Sequence, residues 1–185
     1  MTSAGVNAEC GETVMIDSVT YTIPDHWCGR ALDSAALADP EELVVLPDDC
    51  TFQDYRIFLT REARDAYIEM AFVAREDGID LIADSGYRSA EYQRRIFRRR
   101  MAAGESFSSA ARFVAPPGYS SHQTGCSVDL VPSEARFAHT PQYAWLRANA
   151  HRFGFGESYP EDSSSVLSWE SWHWSFVQPI ADTTE

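Results

Sequence analysis

The stretch between residues 60 and 104 constrains the fold more than any other part of the sequence. Within 60–78, small and apolar residues recur at helical spacing, between a threonine that can act as N-cap and a glycine that can end the helix. The apolar run IDLIAD (79–84) is typical of a strand, and a serine can cap a second helix over 89–104. Arg88 therefore lies where a strand gives way to a helix.

The rest of the C-terminal half predicts shorter elements. GCSVDLV (125–131) alternates small and apolar side chains like a buried strand, a helix is expected over 140–154, and the aromatic segment 169–177 is expected to be a strand. Residues 153–168 are expected to be a loop. Because helices and strands interleave too sparsely for a doubly wound sheet, the sequence predicts an α+β domain.

Residues 1–55 differ in character from the rest of the chain. They are rich in Asp, Pro and Gly, and the first 50 residues contain a single basic side chain, Arg30. The strand-like run ETVMIDSVTYTI (12–23) is broken by Pro24. We expect an irregular N-terminal extension that packs on a domain formed by residues 56–185.

Composition excludes several classes of protein. A length of 185 residues with 44% hydrophobic side chains is enough for one sizeable core. A formal net charge of −13 opposes binding to nucleic acid. No apolar run approaches the roughly 20 residues of a membrane span, and the N-terminus lacks the pattern of a signal peptide. We expect a monomer with no membrane span.

Four cysteines, Cys10, Cys28, Cys50 and Cys126, leave the redox state open. None forms a CxxC pair, which argues against structural zinc, and we do not expect Cys126 to be a metal ligand. Disulfides are slightly favoured over four free thiols, but the sequence cannot give their connectivity. Cys126 is expected to be either a packing residue or a disulfide partner.

Five separated residues could together form a catalytic metal site. Catalytic zinc takes three protein ligands and leaves a position for water. His122, Asp129 and His173 could supply those ligands, since a glycine between the first two permits a loop-to-strand turn. Glu170 could take a proton from the attacking water, and Arg88 could stabilise the negative charge on the carbonyl oxygen. Each residue alone is weak evidence, and a lone histidine more often has a structural role; the combination favours a zinc site.

Four segments resemble the zinc D-alanyl-D-alanine carboxypeptidases typified by VanY, the peptidoglycan metallopeptidases of the LAS type. They are SGYRSAEYQ (85–93), SSHQTGCSVD (120–129), WLRANAHRFGF (145–155) and ESWHW (170–174). The resemblance extends from about Arg56 to Val177. It implies that residues 56–185 are a zinc carboxypeptidase domain with a small antiparallel sheet backed by helices and zinc in a groove across the sheet.

The resemblance assigns roles to the same five residues. It makes His122, Asp129 and His173 the zinc ligands, Glu170 the general base, and Arg88 a contact to substrate and transition state. It also implies that three further residues hold the substrate peptide, namely Tyr87, Gln93 and Ser120.

Several positions depart from the family pattern. Cys126 and Ser127 stand where relatives usually have a small aliphatic pair, and Ser171 stands where they have Pro. Relatives commonly carry a basic residue before the aromatic residue and the proline, whereas this chain has Glu157 and Ser158. Recognition of the carboxylate of the substrate is therefore expected to differ.

The resemblance implies removal of the C-terminal D-alanine from peptidoglycan stem peptides, by D,D or L,D cleavage. Two alternatives stay open: a peptidoglycan endopeptidase of the same fold, and a noncatalytic zinc-stabilised binding domain. D,D trimming requires the periplasm or the cell exterior, where this chain would be a processed form. An L,D enzyme could instead act in the cytoplasm.

Overall fold

The computed structural model describes residues 10–161 and 168–177. The chain forms two compact units. The first, the hairpin unit, comprises the chain up to Asp33 together with Ser89–Ser120. The second, the sheet unit, comprises Ser34–Arg88 and the chain from Ser121 onward. The predicted boundary at residue 55 stays a prediction.

Eight strands and four α-helices are present in the described residues. The strands are β1 (Thr13–Ile16), β2 (Val19–Thr22), β3 (Val44–Val45), β4 (Phe58–Leu59), β5 (Ala83–Ser85), β6 (Ser127–Leu130), β7 (Phe155–Glu157) and β8 (His173–Phe176). The helices are α1 (Arg61–Glu76), α2 (Ala90–Ala102), α3 (Phe107–Ala110) and α4 (Pro141–Asn149). Short 3-10 turns include Ser121–Thr124 and Ala150–Phe153.

The sheet unit is organised around a four-stranded antiparallel sheet in the order β5-β6-β8-β7. Its core joins side chains of this sheet with α1 and α4, including Tyr67, Val128, Leu146 and Trp174. A second, two-stranded sheet pairs β3 with β4. The predicted α+β fold, a small antiparallel sheet backed by helices, is confirmed.

Local capping explains why the helices of the sheet unit begin and end where they do. The Thr60 side chain accepts a hydrogen bond from the backbone N–H of Ala63 at the start of α1. Gly78, with φ of +78°, lies just after that helix ends. Pro141 opens α4, which continues as a 3-10 turn to Gly154. Both predicted helices are confirmed.

Two strand predictions for the sheet unit need correction. The run 79–84 was expected to be the strand, but β5 spans Ala83–Ser85 only. Residues 153–168 were expected to be a loop, yet Phe155–Glu157 form β7, which pairs with β8 at the edge of the sheet. β7 forms because its backbone pairs by hydrogen bonds with β8, which lies far away in the sequence. Residues 162–167 of the predicted loop lie outside the described residues.

The hairpin unit contains β1 and β2, which pair directly across a two-residue turn. Asp17 and Ser18 form this turn with φ of 50° and 64°, the positive values that such tight hairpins require. The second predicted helix is confirmed as α2, capped by the Ser89 side chain. The run 12–23 is thus an ordered hairpin, more regular than the irregular extension expected.

One disulfide, between Cys10 and Cys28, is present in the hairpin unit. Cys50 and Cys126 are free thiols. The preference for disulfides is therefore correct for one pair, and Cys126 is not a disulfide partner. No helix in the described part of the chain is both long and apolar enough to cross a bilayer.

Candidate metal centre

Three buried side chains of the sheet unit converge on one point. His122, Asp129 and His173 each offer one ligand atom, and these atoms all lie within 4.8 Å of one another. The exposed fractions of the three residues are 2%, 7% and 3%. The structure thus brings together the three residues that the sequence nominated as zinc ligands.

The antiparallel register explains this convergence. Asp129 of β6 and His173 of β8 are directly paired, so both side chains project from the same face of the sheet. His122 lies on the 3-10 turn just before β6. Gly125, with φ of +68°, makes the turn between them, and a side chain there would also crowd Leu43.

Hydrogen bonds orient both imidazole rings. Nδ1 of His122 lies 2.7 Å from the carbonyl oxygen of Gly86, and Nδ1 of His173 lies 2.7 Å from Oγ of Ser158. When each Nδ1 carries the proton and donates it to these oxygens, each Nε2 is left with a lone pair. This tautomer is the one required for coordination through Nε2.

Two buried polar atoms support the fit of a metal. Nε2 of His122 and Oδ1 of Asp129 have no hydrogen-bond partner among the residues that the structure describes. Buried polar atoms are normally satisfied, and unpaired ones aimed at a common point call for an explanation. Two imidazoles and one carboxylate form a donor set suited to zinc that leaves one position open.

The environment sets the protonation state that metal binding needs. Burial lowers the pKa of His122, and burial together with the nearby His122 lowers the pKa of His173 to about 3. Burial alone would raise the pKa of Asp129, but His122 and Arg88 outweigh it, and the net change is downward. At neutral pH the site holds two neutral imidazoles and one carboxylate, the forms that bind a divalent cation.

The pKa of Glu170 is shifted upward, whereas that of Asp129 is shifted downward. Burial, followed by repulsion from Asp129, raises the pKa of its half-buried carboxyl to about 7. Its backbone N–H donates to the carbonyl oxygen of Tyr159, and its own carbonyl accepts from the N–H of His173. A carboxyl group that titrates near neutrality is suited to general acid and base chemistry.

Arg88 lies within hydrogen-bonding distance of a predicted metal ligand. Its guanidinium Nη2 donates to Oδ2 of Asp129 at 2.8 Å, and its backbone N–H donates to the carbonyl oxygen of His122. Its side chain is 21% exposed, so part of it faces solvent. The guanidinium thus holds the Asp129 carboxylate and could still present a positive charge to a ligand.

The other three predicted substrate contacts are less informative. Tyr87 belongs to the sheet unit, where its backbone N–H donates to the carbonyl of Phe58. Gln93 and Ser120 are buried in the hairpin unit, and the Gln93 side-chain amide donates to the carbonyl of Ala115. Their contact with substrate stays a prediction.

The sequence did not identify three residues that surround His173. The Oγ of Ser121 lies 3.2 Å from Nε2 of His173, and the Tyr159 ring packs against the imidazole with centroids 5.0 Å apart. Ser158, noted only as a departure from the family pattern, contacts Nδ1. Serines and a tyrosine in a loop give no periodic signal, and only the departure at Ser158 could have drawn attention to this cluster.

The neighbouring departure, Glu157, has a structural role. Its carboxylate accepts hydrogen bonds from the Tyr143 hydroxyl at 3.1 Å, the Trp169 indole at 2.8 Å and the Arg147 guanidinium at 2.7 Å. Only 5% of its side chain is exposed. The negative charge of Glu157 is therefore neutralised within the sheet unit.

A His, Asp, His ligand set beside a carboxyl of raised pKa is the arrangement of a metal-dependent hydrolase. Comparison with known proteins agrees. Residues 56–179 match the family model described as VanY, D-alanyl-D-alanine carboxypeptidase. The chain belongs to this family.

Individual relatives extend the comparison. The chain is 34% identical over 122 residues to a D-alanyl-D-alanine carboxypeptidase of Enterococcus faecalis, covering 60% of this chain and 46% of the relative. It thus spans about half the length of that curated relative. The solved structure of the LD-carboxypeptidase LdcB is similar with a TM-score of 0.71 and 28% identity, over 90% of this chain and 84% of that one.

A second solved structure bears on the metal. It is a variant of a vancomycin-resistance D,D-pentapeptidase VanY in complex with Zn(II), with a TM-score of 0.55 and 28% identity. The similarity covers 72% of this chain and 83% of that chain. A zinc-bound relative and a fitting ligand set in this chain together support zinc as the metal.

Proposed function

We propose that this chain is a zinc carboxypeptidase that removes the C-terminal D-alanine from peptidoglycan stem peptides. The observation that carries the proposal is the buried set of His122, Asp129 and His173 beside Glu170, whose pKa is raised to about 7. Membership of the VanY family supports the substrate class.

The residues of the site divide the reaction between them. Zinc held by the two histidines and Asp129 would supply Lewis-acid polarisation of the water and the scissile carbonyl. Glu170 accepts a proton as the water oxygen attacks the carbonyl carbon. Arg88 places a positive charge beside the developing negative charge on the carbonyl oxygen. Glu170 then returns the proton to the amine nitrogen as the C–N bond breaks, which releases D-alanine.

We further propose that the preferred bond is the L,D bond of a tetrapeptide stem. Of the two solved relatives, the LD-carboxypeptidase is similar over 90% of this chain and the D,D-pentapeptidase over 72%. The Glu157 carboxylate adds no support for either bond, because Arg147 and two aromatic side chains already engage it.

The test is incubation of the zinc-loaded protein with purified pentapeptide, tetrapeptide and cross-linked muropeptides, followed by mass spectrometry. Loss of D-alanine from the tetrapeptide, faster than from the pentapeptide, is the expected result. Faster release from the pentapeptide would reverse the bond assignment. Cleavage of the cross-linked species alone would identify an endopeptidase. Zinc bound without hydrolysis of any of them would favour a noncatalytic binding domain.

Glu170→Gln supplies the matched variant for this experiment. It keeps the size of the side chain but cannot accept the proton, so we expect bound zinc to be retained and turnover to fall by at least about 100-fold. Full activity of Glu170→Gln would exclude Glu170 as the base.

We propose that the protein works outside the cytoplasm. The Cys10–Cys28 disulfide supports this location, because such bonds persist in oxidising compartments. Thiol labelling of denatured protein from intact cells should find two free cysteines. Four labelled cysteines would favour the cytoplasm instead.

We also propose a monomer, which light scattering after gel filtration would test.

A further inference from the structure

A chain of three serine hydroxyls ends at the predicted metal ligand His173. The Oγ of Ser158 lies 2.7 Å from Nδ1 of His173 and 2.7 Å from Oγ of Ser175. The Oγ of Ser175 lies 2.7 Å from Oγ of Ser127. All three distances are typical of well-formed hydrogen bonds.

The serines lie on or next to three adjacent strands. Ser127 and Ser175 are directly paired between β6 and β8, two residues away from the paired Asp129 and His173. Because side chains on a strand alternate, the two serines share the face that carries the metal ligands. Ser158 follows β7, where its backbone N–H donates to the carbonyl of His173.

Hydrogen-bond chemistry gives this chain a direction. For Nε2 of His173 to present a lone pair to a metal, Nδ1 must carry the proton and donate it to Ser158. The Ser158 hydroxyl can then donate to Ser175, which can donate to Ser127. The Ser158 and Ser175 hydroxyls each accept one hydrogen bond and donate another, so the bonds strengthen one another.

Other side chains at position 158 would not serve in this way. A basic side chain, of the kind that relatives commonly carry before the aromatic residue and the proline, has only donors and could not accept a hydrogen bond from Nδ1–H. Alanine would leave a nearly buried N–H without a partner, because His173 is only 3% exposed. Serine, which can both accept and donate a hydrogen bond, is therefore suited to position 158.

We propose that Ser158 is a positioning residue that holds His173 in the tautomer and ring orientation needed for metal binding, supported by Ser175 and Ser127. The inference rests on the proposed role of His173 as a metal ligand. It does not require that the protein hydrolyse any particular peptide.

Zinc affinity tests the proposal without reference to activity. Metal-free protein is titrated against a chromophoric chelator, and Ser158→Ala is expected to weaken zinc binding about 10- to 100-fold, the usual effect of removing a partner of a ligating histidine. Ser158→Thr keeps the hydroxyl and is expected to restore affinity to within about threefold of the parent. Ser133→Ala is the control and is expected to leave zinc affinity unchanged, because the Ser133 hydroxyl donates to the Asp84 carboxylate.

A second measurement reports the tautomer directly. Nitrogen NMR of the imidazoles in the metal-free protein should show His173 protonated at Nδ1 in the parent and a mixture of tautomers in Ser158→Ala. When cobalt replaces zinc in both proteins, the visible absorption bands of the bound ion should lie at different wavelengths in Ser158→Ala and in the parent. If Ser158→Ala fails to fold, Ser175→Ala replaces it, with an expected loss of zinc affinity of about threefold.

The outcomes separate this proposal from the proposed function. Zinc affinity within twofold of the parent for Ser158→Ala or its replacement, with an unchanged tautomer, would overturn the positioning role. If Ser158→Ala binds zinc much more weakly while the zinc-loaded parent cleaves none of the muropeptides, the positioning role is supported and the carboxypeptidase proposal is refuted.

Discussion

Replacement of Glu170 by Gln should stabilise the metal-free protein, and by more at high pH than at low pH. A folded-state pKa raised to about 7 means that ionising this carboxyl is unfavourable in the folded protein. An acid whose pKa is raised on folding lowers stability as the pH rises between its unfolded and folded pKa values. Gln keeps the shape of the protonated acid and never ionises.

The magnitude follows from the two pKa values. The usual pKa of Glu is 4.5 and the value in this site is about 7. Each pH unit between them corresponds to about 1.4 kcal/mol. Glu170→Gln should therefore raise the free energy of unfolding by about 3 kcal/mol at pH 8, and by less than about 1 kcal/mol at pH 5. The first figure is an upper bound, since the carboxyl is only half-buried.

Urea denaturation in the presence of a chelator, at pH 5 and pH 8, measures both differences. Glu69→Gln, on the exposed side of α1, is the matched control and should change stability by less than about 0.5 kcal/mol at either pH. A Glu170→Gln variant that is destabilised, or equally stabilised at both pH values, would refute the electrostatic account of Glu170.

Three other perturbations test separate parts of the structure. Gly86→Ala should cost about 2 kcal/mol in denaturation and weaken zinc binding, because the new Cβ would lie 2.8 Å from a backbone oxygen and Gly86 also holds the His122 ring. Unchanged zinc affinity in a folded variant would contradict this. Cys10→Ser should lower the free energy of unfolding by about 3 kcal/mol, given the sequence separation of 18 between the bonded cysteines. An equal stability with and without reductant in the parent would show that the bond contributes nothing. Arg88→Gln removes a charge that lowers the pKa of Glu170, so the rise of activity with pH should move to higher pH, and an unmoved profile would count against that charge.

Helix positions were predictable because their signals are local. Thr60 and Ser89 cap their helices through their own side chains, and each is followed by residues at helical spacing. The candidate ligands were predictable for a different reason. Few residue types bind zinc, so a resemblance that aligns His122 and His173 leaves little choice.

The elements that the sequence missed depend on distant partners. β7 contains Gly156 and lies close to Pro160, so its local composition indicates a loop, and it is a strand only because β8 offers unpaired backbone groups. The turn of the β1–β2 hairpin uses Asp17 and Ser18, which lack the Asn-Gly or Asp-Gly signature. Likewise, the partners of Ser158 are brought to it by strand pairing alone.

The site contains two carboxyl groups whose different roles follow from where the positive charges lie. Asp129 accepts a hydrogen bond from the Arg88 guanidinium at 2.8 Å, and this permanent positive charge favours the ionised carboxylate despite its burial. Glu170 lies near the same charged groups. Burial and the negative charge of Asp129 together outweigh the positive charge of Arg88, and the pKa of Glu170 rises to about 7. The ionised ligand therefore helps to create the neutral acid beside it, since a more fully neutralised Asp129 would repel Glu170 less. A bound dication would add a positive charge to both groups and lower both pKa values, which shifts Glu170 towards the ionised form that a general base requires. Metal binding and readiness for proton transfer are thus coupled through the positive charge of the ion.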